Sequence, residues 1–156
     1  MASSQKLIII TAPSGSGKST IVNFLMKEVP LLAFSVSACT RKPREGEIHG
    51  VNYYFLSVEE FQQHIANNDF AEYEMVYEGK YYGTLRSELS RMWNEDKVPV
   101  VDIDVQGALR LKREYNQHAL SLFIKAPSIA ELKKRLRHRG TETEHSLKER
   151  LNKASE

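Results

Sequence analysis

One cysteine, one tryptophan and no long apolar run mark this chain of 156 residues. With Cys39 alone, neither an internal disulfide nor a cysteine-based zinc cage is open to it, and a reducing compartment fits. No apolar stretch approaches the roughly 18 residues of a membrane span. Met1 to Gln5 lacks the charged and apolar regions of a signal peptide. The five histidines (His49, His64, His118, His138, His145) show neither H-x-x-x-H nor His–Cys spacing, so no metal is assigned to them. Net charge is nearly absent as well, with 22 Lys and Arg against 20 Asp and Glu. A basic platform interleaved with aromatics is missing, which argues against nucleic-acid binding. What remains is the composition of a soluble, cytoplasmic globular domain, 41% hydrophobic and 27% charged. At this length a chain buries roughly 70% of its unfolded surface in one core.

The near-zero charge conceals a segregation. Residues 59 to 78 carry Glu59, Glu60, Asp69, Glu72, Glu74 and Glu78 and no Lys or Arg. Residues 125 to 139 carry Lys125, Lys133, Lys134, Arg135, Arg137 and Arg139 against the single acid Glu131. Taken alone, such clusters read as solvated helix faces.

Hydrophobic spacing orders the chain into alternating strands and helices. Lys6 to Thr11 is a β-branched run suited to a buried strand, and Ser19 to Val29 has helical spacing. Phe34 to Ser37 and Val51 to Leu56 read as short strands around a polar loop, and Ser57 with Glu60 forms a capping box ahead of a helix to Asn67. Phe70 to Tyr77 and Lys80 to Thr84 flank Glu78-Gly79 as a hairpin. Helices are expected at Leu85 to Glu95, Gln106 to Tyr115, Pro127 to His138 and Ser146 to Ala154. Two further buried strands are expected at Val98 to Ile103 and Ala119 to Ile124. The pattern predicts an α/β fold: a three-layer parallel core with a small antiparallel lobe inserted.

The strongest motif follows the first strand. Ala12-Pro13-Ser14-Gly15-Ser16-Gly17-Lys18-Ser19-Thr20 matches the phosphate-binding loop G-x-x-x-x-G-K-[ST], with Ala12 in place of the first glycine. Gly15 and Gly17 let successive backbone N–H groups converge on phosphate oxygens at a helix N-terminus. Lys18 supplies a charge to the β- and γ-phosphates, and the Ser19 hydroxyl is placed to ligate Mg²⁺. The loop thus points to a nucleoside triphosphate bound with Mg²⁺ through residues 14 to 20, and alone it fits a GTPase, an ATPase or a small-molecule kinase. An acid at the end of another buried strand should serve the metal. Asp102 ends Val98-Pro99-Val100-Val101, and Asp104, two places on, is expected on the same side. Arg41 and Arg44 flank Pro43 as a fork suited to a dianionic phosphate.

At these residues the chain resembles guanylate kinase. The matching pieces are A-P-S-G-S-G-K-S-T, S-V-S-x-x-T-R-K-P-R-x-G-E, H-G-x-x-Y-Y-F, Y-Y-G at 81 to 83, D-I-D-x-Q-G at 102 to 107, and L-K-K-R-L-x-x-R-G-T-E-T at 132 to 143, with Arg150 downstream. They are collinear from Lys6 to Arg150. The resemblance implies a P-loop fold that transfers phosphate from ATP to GMP with Mg²⁺. It implies a core at residues 1–36 and 85–156, a GMP-binding lobe at 37–84 and a lid at about 137–146. Arg41, Arg44, Tyr53 and Tyr82 would hold the GMP phosphate, and Glu72, Ser37, Thr84 and Asp104 would read guanine. Lys18, Arg41, Arg135, Arg139 and Arg150 would act on the transferring phosphoryl group, with Ser19 and Asp102 at the metal. The family pattern continues with a strand and a helix beyond Glu156, which are expected to be missing here. A catalytically inactive, partner-binding module of the same shape is the alternative; such modules lose the loop lysine and part of the GMP set. Oligomeric state is not legible.

Overall fold

The computed structural model describes residues 5–13, 15–138, 140 and 143–155, the last three by backbone alone. Two sheets organise it. The first takes strands β1 (Leu7–Thr11), β2 (Leu32–Phe34), β7 (Val98–Asp102) and β8 (Ala119–Phe123) in the order β2-β7-β1-β8, every pair parallel. The second takes β3 (Ala38–Cys39), β4 (Tyr54–Phe55), β5 (Phe70–Tyr77) and β6 (Lys80–Leu85) in the order β4-β3-β6-β5. It is antiparallel apart from the β3–β4 pair.

Helices cover both faces of the first sheet. On one, α3 (Arg86–Asn94) and α4 (Val105–Tyr115) bury Leu89, Met92, Ala108 and Leu111 against Leu7, Ile9 and Val101. On the other, α1 (Lys18–Glu28) sets Val22 against Ile10 and Val100. Parallel strands buried on both faces need apolar residues at successive positions, as Ile9-Ile10 and Val100-Val101 provide. The second sheet has its own small core of Ala38, Phe61, Phe70 and Leu85. Phe61 reaches it from α2 (Val58–Ala66), whose start carries both hydrogen bonds of the Ser57–Glu60 capping box, and stacks on Phe70 at 4.3 Å. A third cluster joins α5 (Ile129–His138) to α6 (Glu144–Ser155) through Leu132, Leu136 and Leu147.

Three readings of the chain need correction. The second strand is Leu32–Phe34 rather than Phe34 to Ser37, because its register is set by pairing with β7, Leu32 opposite Val98. Val51 to Leu56 is mostly loop, with Tyr54–Phe55 paired to β3 and Tyr53 in an isolated bridge to His49. Among the described residues Ala119–Phe123 pairs β1 alone at the sheet edge, and instead of being buried Leu120, Leu122 and Phe123 are exposed.

Candidate active site

The carboxyl ends of β1 and β7 lie side by side, Ile10 opposite Asp102, and the phosphate loop springs from this end of the sheet. Crevices at the carboxyl ends of parallel strands are where such folds take ligands. Gly15 and Gly17 hold φ of +86° and +94°, a left-handed backbone that glycine enters without penalty. The Ser16 hydroxyl and N–H both donate to the Pro13 carbonyl, at 2.7 and 3.2 Å, closing the turn. Lys18 opens α1, and its ammonium pairs with the Asp102 carboxylate. Ser19 and Thr20 are exposed in the first helical turn, where α1 presents its positive end.

Helix α5 leans on this loop. Leu136 lies 3.0 Å from where a Cβ on Gly15 would stand. Arg135 donates through Nη1 to the Ser16 carbonyl at 3.3 Å and through Nε to Glu131 at 2.9 Å. A basic side chain from residue 135 thus stands against the phosphate cradle. Arg150 is exposed on α6, which packs against α5. Ser14 and Arg139 lie outside the described residues.

Across the crevice, the second sheet gathers the arginine–tyrosine set. The Arg41 guanidinium makes two parallel hydrogen bonds to Glu47, at 2.6 and 2.7 Å, and stacks 4.8 Å from the centre of the Tyr53 ring. Tyr53 in turn meets Tyr82 edge-on at 6.2 Å. Arg41, and next the backbone N–H of Arg44, hold the Glu47 carboxyl down at about 2, and the same pair pushes Arg41 up. Arg41 is oriented by Glu47, while the exposed Arg44 contributes its backbone N–H to that carboxylate at 2.8 Å.

Glu72 lies deeper, only 6% exposed. Burial pushes its carboxyl up, against the hydrogen bond from Thr84, and Asp104 adds to the rise. Thr84, itself fully buried, donates to Glu72 Oε1 at 2.6 Å, so its hydroxyl braces the acid expected to read the base. Asp104 is not on the strand with Asp102. Strand β7 ends at Asp102, and Asp104, its backbone still extended at φ −73° and ψ 174°, caps α4 by accepting from the Gly107 N–H at 2.8 Å. The two acids thus serve different groups, Asp102 the phosphate loop and Asp104 the neighbourhood of Glu72. Ser37 is held near the crossing between the sheets, its carbonyl accepting from the Tyr54 N–H at 2.9 Å.

Two residues quoted in the motifs but given no role now have one. Glu47 fixes Arg41, and an acid six places after an arginine across a Pro/Gly turn was the available signal. Gly107 has its Cα turned to Glu72: a Cβ there would stand 2.8 Å from Glu72 Oε2. Among the described residues no group of three or more His, Cys, Asp or Glu is placed to hold a metal ion, and no helix is long and apolar enough to cross a membrane.

A phosphate loop at the carboxyl edge of a parallel sheet, faced by a second sheet with its own arginine–tyrosine set, defines a P-loop kinase fold. The protein-family model for guanylate kinase matches residues 4–156. Guanylate kinase of Porphyromonas gingivalis is 51% identical over 150 residues, covering 96% of this chain and 80% of that protein. That of Bacteroides fragilis is 50% identical over 149 residues, covering 96% of this chain and 73% of the relative. A solved guanylate kinase from Anaplasma phagocytophilum superposes with a TM-score of 0.69 at 28% identity, over 96% of this chain and 82% of the other. The chain belongs to the guanylate kinase family.

Proposed function

We propose that this chain transfers the γ-phosphoryl group of ATP directly to the phosphate of GMP, giving ADP and GDP, with Mg²⁺ required. The observation that carries the reading is the coexistence of two sets: Lys18 aligned on Asp102 beneath the phosphate loop, and Glu72 buried and braced by Thr84 opposite. Either set alone fits other proteins of this shape. A partner-binding module has no use for the first, and that reading is not favoured.

The loop N–H groups and the start of α1 receive the ATP phosphates, and Lys18 exchanges Asp102 for phosphate oxygens when they arrive. Ser19 and Asp102 are hard oxygen donors beside that lysine, and a set with so few protein ligands suits Mg²⁺, which keeps waters and phosphates around it. When bound, the ion neutralises charge between the β- and γ-phosphates. Arg41, Arg44, Tyr53 and Tyr82 hold the GMP phosphate, Arg41 arriving already oriented by Glu47. Glu72 accepts from N1–H and N2–H of guanine together. Adenine lacks that pair of donors and would leave a buried carboxylate underpaired, a mismatch that gives strong discrimination. Arg135, with Arg139 and Arg150, stabilises the transferring group. One such arginine contributes roughly 10³- to 10⁵-fold in rate, about 4–7 kcal/mol. Residues 37–84 form the lobe that brings GMP in, and residues near 137–146 the lid over ATP. Closure of both keeps water from the γ-phosphate.

The test is ADP release from ATP and Mg²⁺ with GMP, dGMP, AMP, UMP or no acceptor. Turnover restricted to guanine nucleotides is expected. Equal turnover with AMP would overturn the assignment of Glu72, and absence of turnover with any acceptor would overturn the enzyme.

A further inference from the structure

Glu88 is a charged side chain in a place where none of the chemistry above needs one. It sits in the first turn of α3, 3% exposed. Its Oε1 accepts from the Val36 N–H at 3.2 Å and Arg91 Nη2 at 2.9 Å. Its Oε2 accepts from the Tyr54 hydroxyl at 3.0 Å and Arg91 Nε at 3.2 Å. Burial alone would raise this carboxyl, but the donors outweigh it and hold Glu88 below the ordinary glutamate range. The group is an anion with all its acceptor sites engaged. Arg91 is half-exposed, so the ion pair is only partly buried, and the bonds from Val36 and Tyr54 are the ones that reach across the fold.

The donors come from different parts of the fold. Val36 lies in the connection from β2 to β3, where the chain passes from the first sheet to the second. Helix α3 follows β6 directly, where the chain returns, and its Leu89 and Met92 are packed into the first sheet's core. Tyr54 belongs to β4 of the second sheet. Both chain crossings and the second sheet are thus tied at one carboxylate. Hinges between two bodies fall at a few loop or element-terminal residues, so contacts at such crossings bear on the angle between the bodies. The sequence neighbours of the two donors sharpen the point. Val36 precedes Ser37, and Tyr54 follows Tyr53, so each bond lands one residue from a group assigned to GMP.

We propose that Glu88 is a positioning residue for the acceptor, a pivot that holds the second sheet, and with it Ser37, Arg41 and Tyr53, at a set angle to the phosphate loop. This rests on the GMP reading of that sheet. Tyr54→Phe removes one hydroxyl and keeps the ring. It should raise KM for GMP roughly 3- to 10-fold, the size of one ordinary net hydrogen bond, with KM for ATP changed less than about twofold. Glu88→Ala should raise KM for GMP further, and adding Tyr54→Phe to it should change nothing more, since the hydroxyl acts only through the carboxylate. An unchanged KM for GMP in Tyr54→Phe, additive effects in the double variant, or a parallel rise in KM for ATP would each overturn the pivot. Should Glu88→Ala not fold, Tyr54→Phe still decides. Amide exchange of the nucleotide-free protein separates this proposal from the choice of substrate. Tyr54→Phe should speed exchange in β3 and β4 and leave β1 and α1 as they were. Unaltered exchange in β3 and β4 overturns the pivot even if another acceptor replaces GMP.

Discussion

Replacing Gly107 by alanine sets a methyl carbon 2.8 Å from Glu72 Oε2, 3.1 Å from Asp104 Oδ1 and 3.3 Å from Glu72 Cδ. Ordinary carbon–oxygen contact lies near about 3.3–3.6 Å, so the carboxylate must retreat by roughly 0.5 Å or more. It has little room to do so. The acid is 6% exposed, and its other oxygen is held at 2.6 Å by the fully buried Thr84. Two effects of opposite sign therefore meet in this variant. The helix gains less than about 1 kcal/mol from alanine, since residue 107 lies in its first turn, and the N–H there can still donate to Asp104. The site loses alignment of the group that accepts from guanine. Hydrogen bonds to a charged partner contribute about 1.5–3 kcal/mol, so losing one good bond raises KM for GMP roughly 10- to 100-fold. The assay is steady-state ADP release with GMP varied at saturating ATP, repeated with IMP, which lacks the 2-amino donor. Alongside it, a thermal melt measures stability. Gly107→Ala should melt close to the parent, lose its preference for GMP over IMP, and keep KM for ATP within about twofold. A folded variant with the parental KM for GMP and undiminished preference would refute the account of how Glu72 is positioned.

Glu72→Gln should trade function for stability. Because burial raises the folded-state pKa of Glu72 above its ordinary 4.5, the folded chain binds the extra proton and stability declines as pH climbs from about 4.5 through the raised value. Above that window the Gln variant should melt higher than the parent, with the difference vanishing near pH 4, while its preference for GMP over AMP falls. A lower melting point at pH 8 would contradict this. Glu47→Gln should raise KM for GMP several-fold by releasing Arg41, with KM for ATP nearly constant; equal rises in both would point to general loosening. That pair's contribution is complete above 4.5 and is lost as pH falls toward about 2, so acid activity losses above pH 5 must come from elsewhere. Lys18→Ala should abolish transfer while GMP affinity, read by calorimetry, stays close to the parent; simultaneous loss of GMP binding would contradict a role confined to the ATP phosphates.

What was legible beforehand follows a physical division between local and long-range determinants. The loop glycines, the Ser57–Glu60 capping box and the hairpin turn at Gly79, φ +71°, are decided within a few residues, and each stands as its sequence implied. Ala119–Phe123 misled because an apolar run has the same appearance in the middle of a sheet and at its edge, and strand order is settled by distant pairings. The spacing puts Asp102 and Asp104 on one strand, yet Asp104 lies just past its end as the N-cap of α4, a place fixed by the Gly107 N–H on its carboxylate rather than by a neighbouring strand. The same division runs through the site. Groups assigned to touch nucleotides sit in short motifs that resemblance could place one by one. The contacts that aim them join residues farther apart: Thr84, itself assigned to the base, on Glu72 across a hairpin, Gly107 against Glu72 from another sheet's helix, and Glu88 on Val36 and Tyr54. A motif records which chemistry is present. The angle at which that chemistry is presented is written in contacts that only the folded chain brings together, and that is where variants with intact motifs and altered GMP affinity should be sought.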